Sequence, residues 1–206
     1  MGKHAQSIDS AIINRIYANG KGWVFTPLDF LDLGSRPAVG SALKRHKRDG
    51  TIRQLARGLY DYPRTHPKLG VLAPNIDAVA KALSGRDVIH LQPSGAYAAN
   101  LLGLSEQVPM RIVFLTEGTK RHVQIGKQEI FLKHTTPRFM ATAGKTSGLV
   151  IQALRYLGQR HVDKSVVATL KRKLTGDDKK KLMKDVRYAP AWIAELMRRI
   201  AESERD

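Results

Sequence analysis

The sequence of 206 residues contains no cysteine, few aromatic residues and about half as many acidic as basic side chains. Without cysteine, the chain can form neither a disulfide framework nor a thiolate metal site. Its N-terminus lacks the apolar stretch of about 7–15 residues that marks a secretory signal. No run approaches the roughly 20 apolar residues that cross a bilayer. We therefore expect a cytoplasmic protein that does not bind membranes.

Signals of catalysis are also sparse. The segment AGKTS at residues 143–147 resembles the end of a phosphate-binding loop, but Phe139 occupies the position where that motif requires its first glycine. The seven histidines are scattered, and none stands at helical spacing from another, so a helical metal site has no support. No pair of carboxylates is placed for general acid–base chemistry. The sequence predicts no enzyme, cofactor or metal.

Positive charge is abundant at both ends of the chain. The formal net charge is +17. Residues 1–66 contain 11 basic and 5 acidic side chains, and residues 136–206 contain 16 and 8. This excess of cations favours an acidic partner, either a nucleic acid or an acidic protein surface.

The first 65 residues have the pattern of a winged helix-turn-helix domain. Apolar residues at helical spacing from Ile8 to Ile16 predict a helix that ends at Asn19-Gly20, followed by a short extended run at Trp23–Phe25. A second, short helix begins after Thr26 and ends at Gly34, and Ser35 is placed to cap a third. A helix, turn, helix and hairpin in this order place one helix in the major groove of duplex DNA.

The third helix has one apolar and one basic face. At about 100° per residue, its apolar face contains Val39, Ala42, Leu43 and His46, and we expect His46 to be a buried histidine with a satisfied hydrogen bond. The opposite face can reach guanine edges or phosphates. The DNA-binding candidates on this helix are Arg36, Ser41, Lys44, Arg45 and Arg48.

A basic hairpin follows this helix. Thr51–Leu55 and Leu59–Tyr62 alternate like strands around a turn at Gly58. Arg53 and Arg57 would lie on this wing, with Arg57 at its tip, where arginines contact phosphates or the narrow groove. About six phosphate contacts from the helix and the wing would give a slope of log affinity against log salt of about −5.

The run AVGSALKRHKRDGTIRQLARGLYDYP resembles the N-terminal domain of the AbiEi-type antitoxins of abortive-infection, type IV toxin–antitoxin systems. The matching residues are Gly40, Ala42, Leu43, Arg57, Gly58, Leu59 and Tyr60. The likeness covers about residues 5–63 and becomes weaker beyond them. It implies a DNA-binding repressor of its own promoter, encoded beside a nucleotidyltransferase-like toxin that the C-terminal domain opposes.

The predicted fold class is α+β, with a winged helix-turn-helix domain at residues 1–65 and a mixed α/β domain at residues 66–206. Three prolines in Pro63–Pro74 indicate a linker. Beyond it the sequence predicts a helix from Asn75, a short strand at Val88–Leu91, a helix opening at Pro93-Ser94, and further strands. These strands are Met110–Thr116, His122–Ile125 and Glu129–Lys133. Four amphipathic helices after Gly144 would form a small bundle.

Two basic clusters mark these last helices. They consist of Lys171, Arg172, Lys173, Lys179, Lys180 and Lys181. They could be an ordinary hydrated helix surface, or a patch that binds DNA backbone, tRNA or an acidic toxin.

Three functions therefore remain open from the sequence. The preferred one is an antitoxin that represses its own operon and counters a nucleotidyltransferase-type toxin. The alternatives are a winged-helix transcriptional regulator without a toxin, and an RNA-binding protein that uses the basic C-terminal helices. The sequence leaves the oligomeric state undetermined.

Overall fold

The computed structural model describes residues 7–85 and 90–202, which belong to two compact units dividing after Gly85. Helices and small sheets occur in both units, which confirms the predicted mixture of α and β structure. The units divide later than the expected boundary after residue 65, because helix α3 (Ile76–Ser84) packs against a strand of the first unit. In the two described ranges, none of the helices has the length and apolar character needed to cross a membrane.

The first part of this unit contains two α-helices separated by a short strand and a 3₁₀ helix, followed by a hairpin. In chain order these elements are α1 (Ile8–Asn19), β1 (Val24–Phe25), the 3₁₀ helix Pro27–Phe30, α2 (Arg36–Arg48), β2 (Arg53–Ala56) and β3 (Leu59–Asp61). Strand β3 pairs antiparallel with both β1 and β2, so the sheet order is β1-β3-β2.

The ends of these helices follow from local chemistry. The hydroxyl of Ser7 accepts a hydrogen bond from the amide of Ser10 at 3.1 Å and so caps α1. The Asp29 carboxylate accepts from the amide of Thr26 at 2.8 Å and fixes the start of the 3₁₀ helix. Ser35 occupies the N-cap position of α2, but its side chain makes no capping bond within the described residues, so that part of the prediction is wrong.

Aromatic and aliphatic side chains of α1, β1, the 3₁₀ helix and α2, together with Ile52 just before β2, form a core of this unit. Phe25 and Phe30 meet edge to face with ring centroids 5.4 Å apart, and both are fully buried. The buried aliphatic members are Ile12, Ile16, Val39, Ala42, Leu43 and Ile52. Since α2 contributes Val39, Ala42 and Leu43, its opposite side must face solvent.

The segment predicted as a linker is an ordered part of this unit. Strands β4 (Thr65–His66) and β5 (Gly70–Val71) form an antiparallel hairpin. The amide of Leu72 donates to the carbonyl of Arg64 at 2.8 Å, and the Leu72 carbonyl accepts from the Arg53 guanidinium at 3.1 Å. Two-residue strands are too short to show any periodicity, and the prolines suggested only an interruption of regular structure.

The second unit combines a four-stranded sheet with six helices in the part of the chain that the structure describes. In chain order its elements are β6 (Gln92–Ser94), α4 (Gly95–Leu101), β7 (Arg111–Thr116), β8 (Arg121–Ile125), β9 (Gln128–His134), α5 (Pro137–Met140), α6 (Thr146–Leu157), α7 (Lys164–Lys173), α8 (Gly176–Asp185) and α9 (Ala191–Ala201). The sheet order is β6-β7-β9-β8, with β7 and β9 parallel and the other pairs antiparallel.

Most of the predicted elements of this unit are present. Half of the predicted strand Val88–Leu91 lies outside the described residues, and the described half, His90 and Leu91, is not in a strand. The helix expected to open at Pro93-Ser94 is present as α4, and Ser94, the last residue of β6, is its N-cap. Helix α5 was not predicted. The largest core here lies between α4 and the last helices, where Leu154, Leu170 and Ile200 are fully buried.

Helices α6 and α8 are joined by polar bonds that begin in the AGKTS segment. The carboxylate of Asp185, which is 6% exposed, accepts from the hydroxyl of Ser147 and lies 3.3 Å from the Lys145 ammonium. The Asp178 carboxylate accepts from the hydroxyls of Thr146 and Thr175, each at 2.7 Å. The side chains that resembled a phosphate-binding loop therefore connect two helices.

We expect the ionised Asp178 carboxylate to stabilise the folded protein, so that the free energy of unfolding falls at low pH. The hydroxyl bonds from Thr175 and Thr146 lower the pKa of Asp178, because they favour the carboxylate. The contribution of Asp178 to the free energy of unfolding is fully present above the ordinary pKa of about 4. It is lost as the pH falls through the lower pKa of the folded state.

Urea unfolding of Asp178→Asn between about pH 2 and 7, followed by circular dichroism, should therefore show a smaller fall in unfolding free energy towards low pH than the unsubstituted protein. Asp177→Asn is the matched control, since Asp177 is exposed and adjacent. If the two variants show the same pH dependence, Asp178 does not have this role.

Candidate nucleic-acid interface

The solvent-facing side of α2 carries most of the predicted DNA-binding residues. Five side chains line one shallow, open depression on it: Ser41, Lys44, Arg45, Lys47 and Arg48. Four of them were candidates from the sequence. Lys47 was missed although it is adjacent to Lys44 on the helical wheel, because it lies at the edge of the basic face, about 90° from the centre of that face. Arg36 is exposed in the first turn of the helix and is not part of this depression.

Arg45 is held by an acidic side chain of α1. Its Nε and Nη2 atoms donate to Oδ1 of Asp9 at 3.0 and 2.7 Å. The Arg45 side chain is 49% exposed, so the pair is at the surface and weak. A contact between Arg45 and a base edge would nevertheless require this pair to open, which makes Arg45 a poorer candidate for base recognition than expected.

The same Asp9 carboxylate approaches the buried histidine of α2. Nε2 of His46 lies 3.4 Å from Oδ2 of Asp9, and among the described residues it has no hydrogen-bond partner. The sequence correctly placed His46 on the inner face, where it is 8% exposed, but Nε2 does not make the expected hydrogen bond within the described part of the chain. Asp9 therefore joins α1 to two consecutive residues of α2.

Arg53 lies on the hairpin, as expected, but its guanidinium is held by an acidic side chain of the same hairpin. Its Nε and Nη2 atoms donate to the two carboxylate oxygens of Asp61 at 3.0 and 2.6 Å. Asp61 is 1% exposed and lies directly opposite Arg53 in the register of β2 and β3. The sequence shows the charges of both residues but not this pairing, which follows from a β-bulge between Gln54 and Ala56.

Arg57 lies at the tip of the hairpin, as predicted. It is exposed, and the following Gly58 has a φ of +71°, which an L-residue adopts only with strain. The hairpin is also joined to α2, because the ammonium of Lys47 donates to Oε1 of Gln54 at 2.6 Å. The same compact unit therefore contains both the cationic side of α2 and the hairpin.

The basic clusters of the last helices are brought together only in part. Four cationic side chains, Lys164, Lys171, Arg172 and Lys179, line a second shallow depression together with Glu202. Lys164 was not predicted, since it lies at the start of α7, whereas the cluster Lys171, Arg172 and Lys173 lies at the end of that helix. The other predicted members are Lys173, Lys180 and Lys181; Lys173 donates to the carbonyl of Leu101 at 3.3 Å, and the other two are exposed outside this depression.

Arg53 and Arg57 should differ sharply when each is replaced by alanine. Arg53→Ala leaves the buried Asp61 carboxylate without its cation, so the unfolding free energy should fall by about 2–3 kcal/mol, less than for a fully buried pair because Arg53 is partly exposed. Arg57→Ala should change it by less than about 0.5 kcal/mol, since Arg57 is a surface side chain. Urea titrations of both variants measure these changes, and equal losses would contradict these assignments.

Within residues 7–85 and 90–202, no group of three or more histidine, aspartate or glutamate side chains is placed to hold a metal ion.

Comparison with known proteins supplies a family but no activity. No curated protein matches the sequence. A family model matches residues 11–182, from α1 to α8. The chain therefore belongs to DUF6088, a family of unknown function.

Proposed function

We propose that the first unit is a winged helix-turn-helix domain that binds duplex DNA, with α2 as the recognition helix and the β2–β3 hairpin as the wing. The observation that carries this proposal is the depression on α2, where Lys44, Lys47 and Arg48 lie opposite the buried face of the helix. The order of elements supports it, as does the short strand β1, which completes a three-stranded sheet with the hairpin. The major groove is wide enough to admit one α-helix.

The ion pairs reduce the number of cations that are available to DNA. Asp9 and Asp61 each occupy one arginine, Arg45 and Arg53 respectively. The cations left for DNA are Arg36, Lys44, Lys47, Arg48 and Arg57. Lys47 already donates to Gln54, and Arg48 forms a weak, exposed ion pair with Asp49, with Nε and Oδ1 3.5 Å apart. Ser41 and Arg36 become the better candidates for base edges, since both are exposed on α2.

We expect the affinity for DNA to fall with salt less steeply than the sequence alone suggested. About four to five phosphate contacts give a slope of log affinity against log salt of about −4 per protomer. Fluorescence anisotropy with a duplex from the region upstream of the gene should measure this slope over about 50–300 mM salt, and Arg48→Ala should reduce its magnitude by about 1.

Arg160→Ala is a suitable control, because Arg160 is an exposed arginine in the second unit. The proposal predicts tighter binding to the upstream duplex than to a scrambled duplex of equal length. Equal affinity for both, or an Arg48→Ala slope equal to that of the control, would contradict it.

We also propose that the protein is an antitoxin of the AbiEi type. The sequence likeness over α2 and the hairpin supports this role, together with a separate second unit that carries its own cationic depression. The residues of that depression, such as Lys171 and Lys179, would contact acidic groups of a nucleotidyltransferase-like toxin. The gene of a plain transcriptional regulator would not lie beside a gene for such a toxin.

Co-expression with the adjacent gene tests the antitoxin role separately from DNA binding. The protein should relieve growth arrest caused by that gene product, and Lys44→Ala/Arg48→Ala should still relieve it, because both substitutions lie on α2 in the first unit. Lys171→Ala/Lys179→Ala should weaken the relief. A neighbouring gene whose product causes no arrest, or an arrest that the protein leaves unchanged, would exclude the antitoxin role and favour the regulator.

A further inference from the structure

One face of the four-stranded sheet carries a row of stacked planar side chains. On β9, Ile130 and Leu132 are buried, and Phe131 between them projects from the opposite face, because side chains alternate along a strand. Phe131 lies directly opposite His122 of β8, with ring centroids 4.3 Å apart and planes inclined by 18°. The guanidinium carbon of Arg111, on β7, is 4.5 Å from the centroid of the Phe131 ring.

The two groups that flank Phe131 are open to solvent. Arg111 and His122 are both exposed, whereas Phe131 is half-buried. A Phe131 ring held in this way gives the row a fixed orientation, so the planar surfaces of the imidazole and the guanidinium need little ordering before a ligand binds. An exposed planar group of this kind stacks favourably on a nucleobase.

The charge around the row suits a polyanion. Residues 110–134 contain five lysines and arginines but only two acidic residues. Lys133 is exposed two residues beyond Phe131 on the same face of β9. One acidic group, Glu129, also lies on this face, with a carboxylate oxygen 3.9 Å from Nε2 of His122. The net charge remains positive, which attracts a phosphate backbone.

We propose that this face, formed by Arg111, His122, Phe131 and Lys133, binds single-stranded RNA. A base would stack on the outer plane of His122 or Arg111, and Arg111 and Lys133 would contact phosphates. A duplex cannot use such a row, because its bases are already stacked on one another. Most unpaired nucleic acid in a cell is RNA, and proteins commonly recognise it by stacking its splayed bases on aromatic side chains or arginine. The site is independent of the DNA-binding residues of α2.

Anisotropy with a labelled, unstructured RNA of about 12 nucleotides, a length typical of single-strand sites, tests this with the full-length protein. Phe131→Leu keeps an apolar side chain on the strand but removes the ring, and His122→Ala removes an exposed ring. Each should weaken RNA binding at least about fivefold, since one base–aromatic stack contributes about 1–3 kcal/mol. If Phe131→Leu fails to fold by circular dichroism, His122→Ala decides the test.

Lys127→Ala is the matched control, because Lys127 is an exposed cation in the β8–β9 turn outside the row. It should weaken RNA binding less than about twofold, as expected for one nonspecific charge. The Lys44→Ala/Arg48→Ala variant should bind the RNA as tightly as the unsubstituted protein. A failure of the DNA proposal would therefore leave this result unchanged.

Further arms of the experiment use a DNA strand of the same sequence and a duplex RNA, both of which should bind more weakly. A 2-aminopurine base in the RNA should change fluorescence on binding, and this change should be smaller with Phe131→Leu. The proposal is overturned if both ring variants bind RNA like the unsubstituted protein or like Lys127→Ala. Equal affinity for the DNA strand or for duplex RNA also overturns it.

Discussion

The burial of one side of α2 is the constraint on which the first unit depends. Val39, Ala42 and Leu43 have no exposed surface, and burying a valine or leucine side chain contributes about 1.5–3 kcal/mol. Rotating the helix about its axis would expose these side chains and bury ammonium and guanidinium groups, which is far more costly. The helix therefore has one stable orientation, and this orientation determines which cations face solvent.

Acidic side chains then decide which of those cations are available to a ligand. Asp9 on α1 holds Arg45, and Asp61 on β3 holds Arg53. Neither carboxylate is adjacent in sequence to the arginine it binds. Positive charge in this unit thus has two roles, since some arginines stabilise the packing of elements while Lys44, Arg48 and Arg57 extend from it. A count of basic residues cannot separate these roles.

The sequence was most informative where a structural signal is local. Apolar spacing located α1, α2 and the last four helices, and the turn at Gly58 located the hairpin with Arg57 at its tip. It was least informative where a feature depends on residues far apart. The Asp9–Arg45 pair, the parallel pairing of β7 with β9 and the bond from Ser147 to Asp185 all follow from tertiary structure. The β4–β5 hairpin was missed because its strands are only two residues long.

Lysine reactivity tests the central claim about α2 most directly. Acetylation of the free protein and of its complex with duplex DNA can be compared at every lysine by mass spectrometry. We expect Lys44 and Lys47 to become protected when DNA binds, while Lys127 in the turn between β8 and β9 remains reactive. If Lys44 and Lys47 keep their full reactivity while DNA is bound, α2 is not the recognition helix.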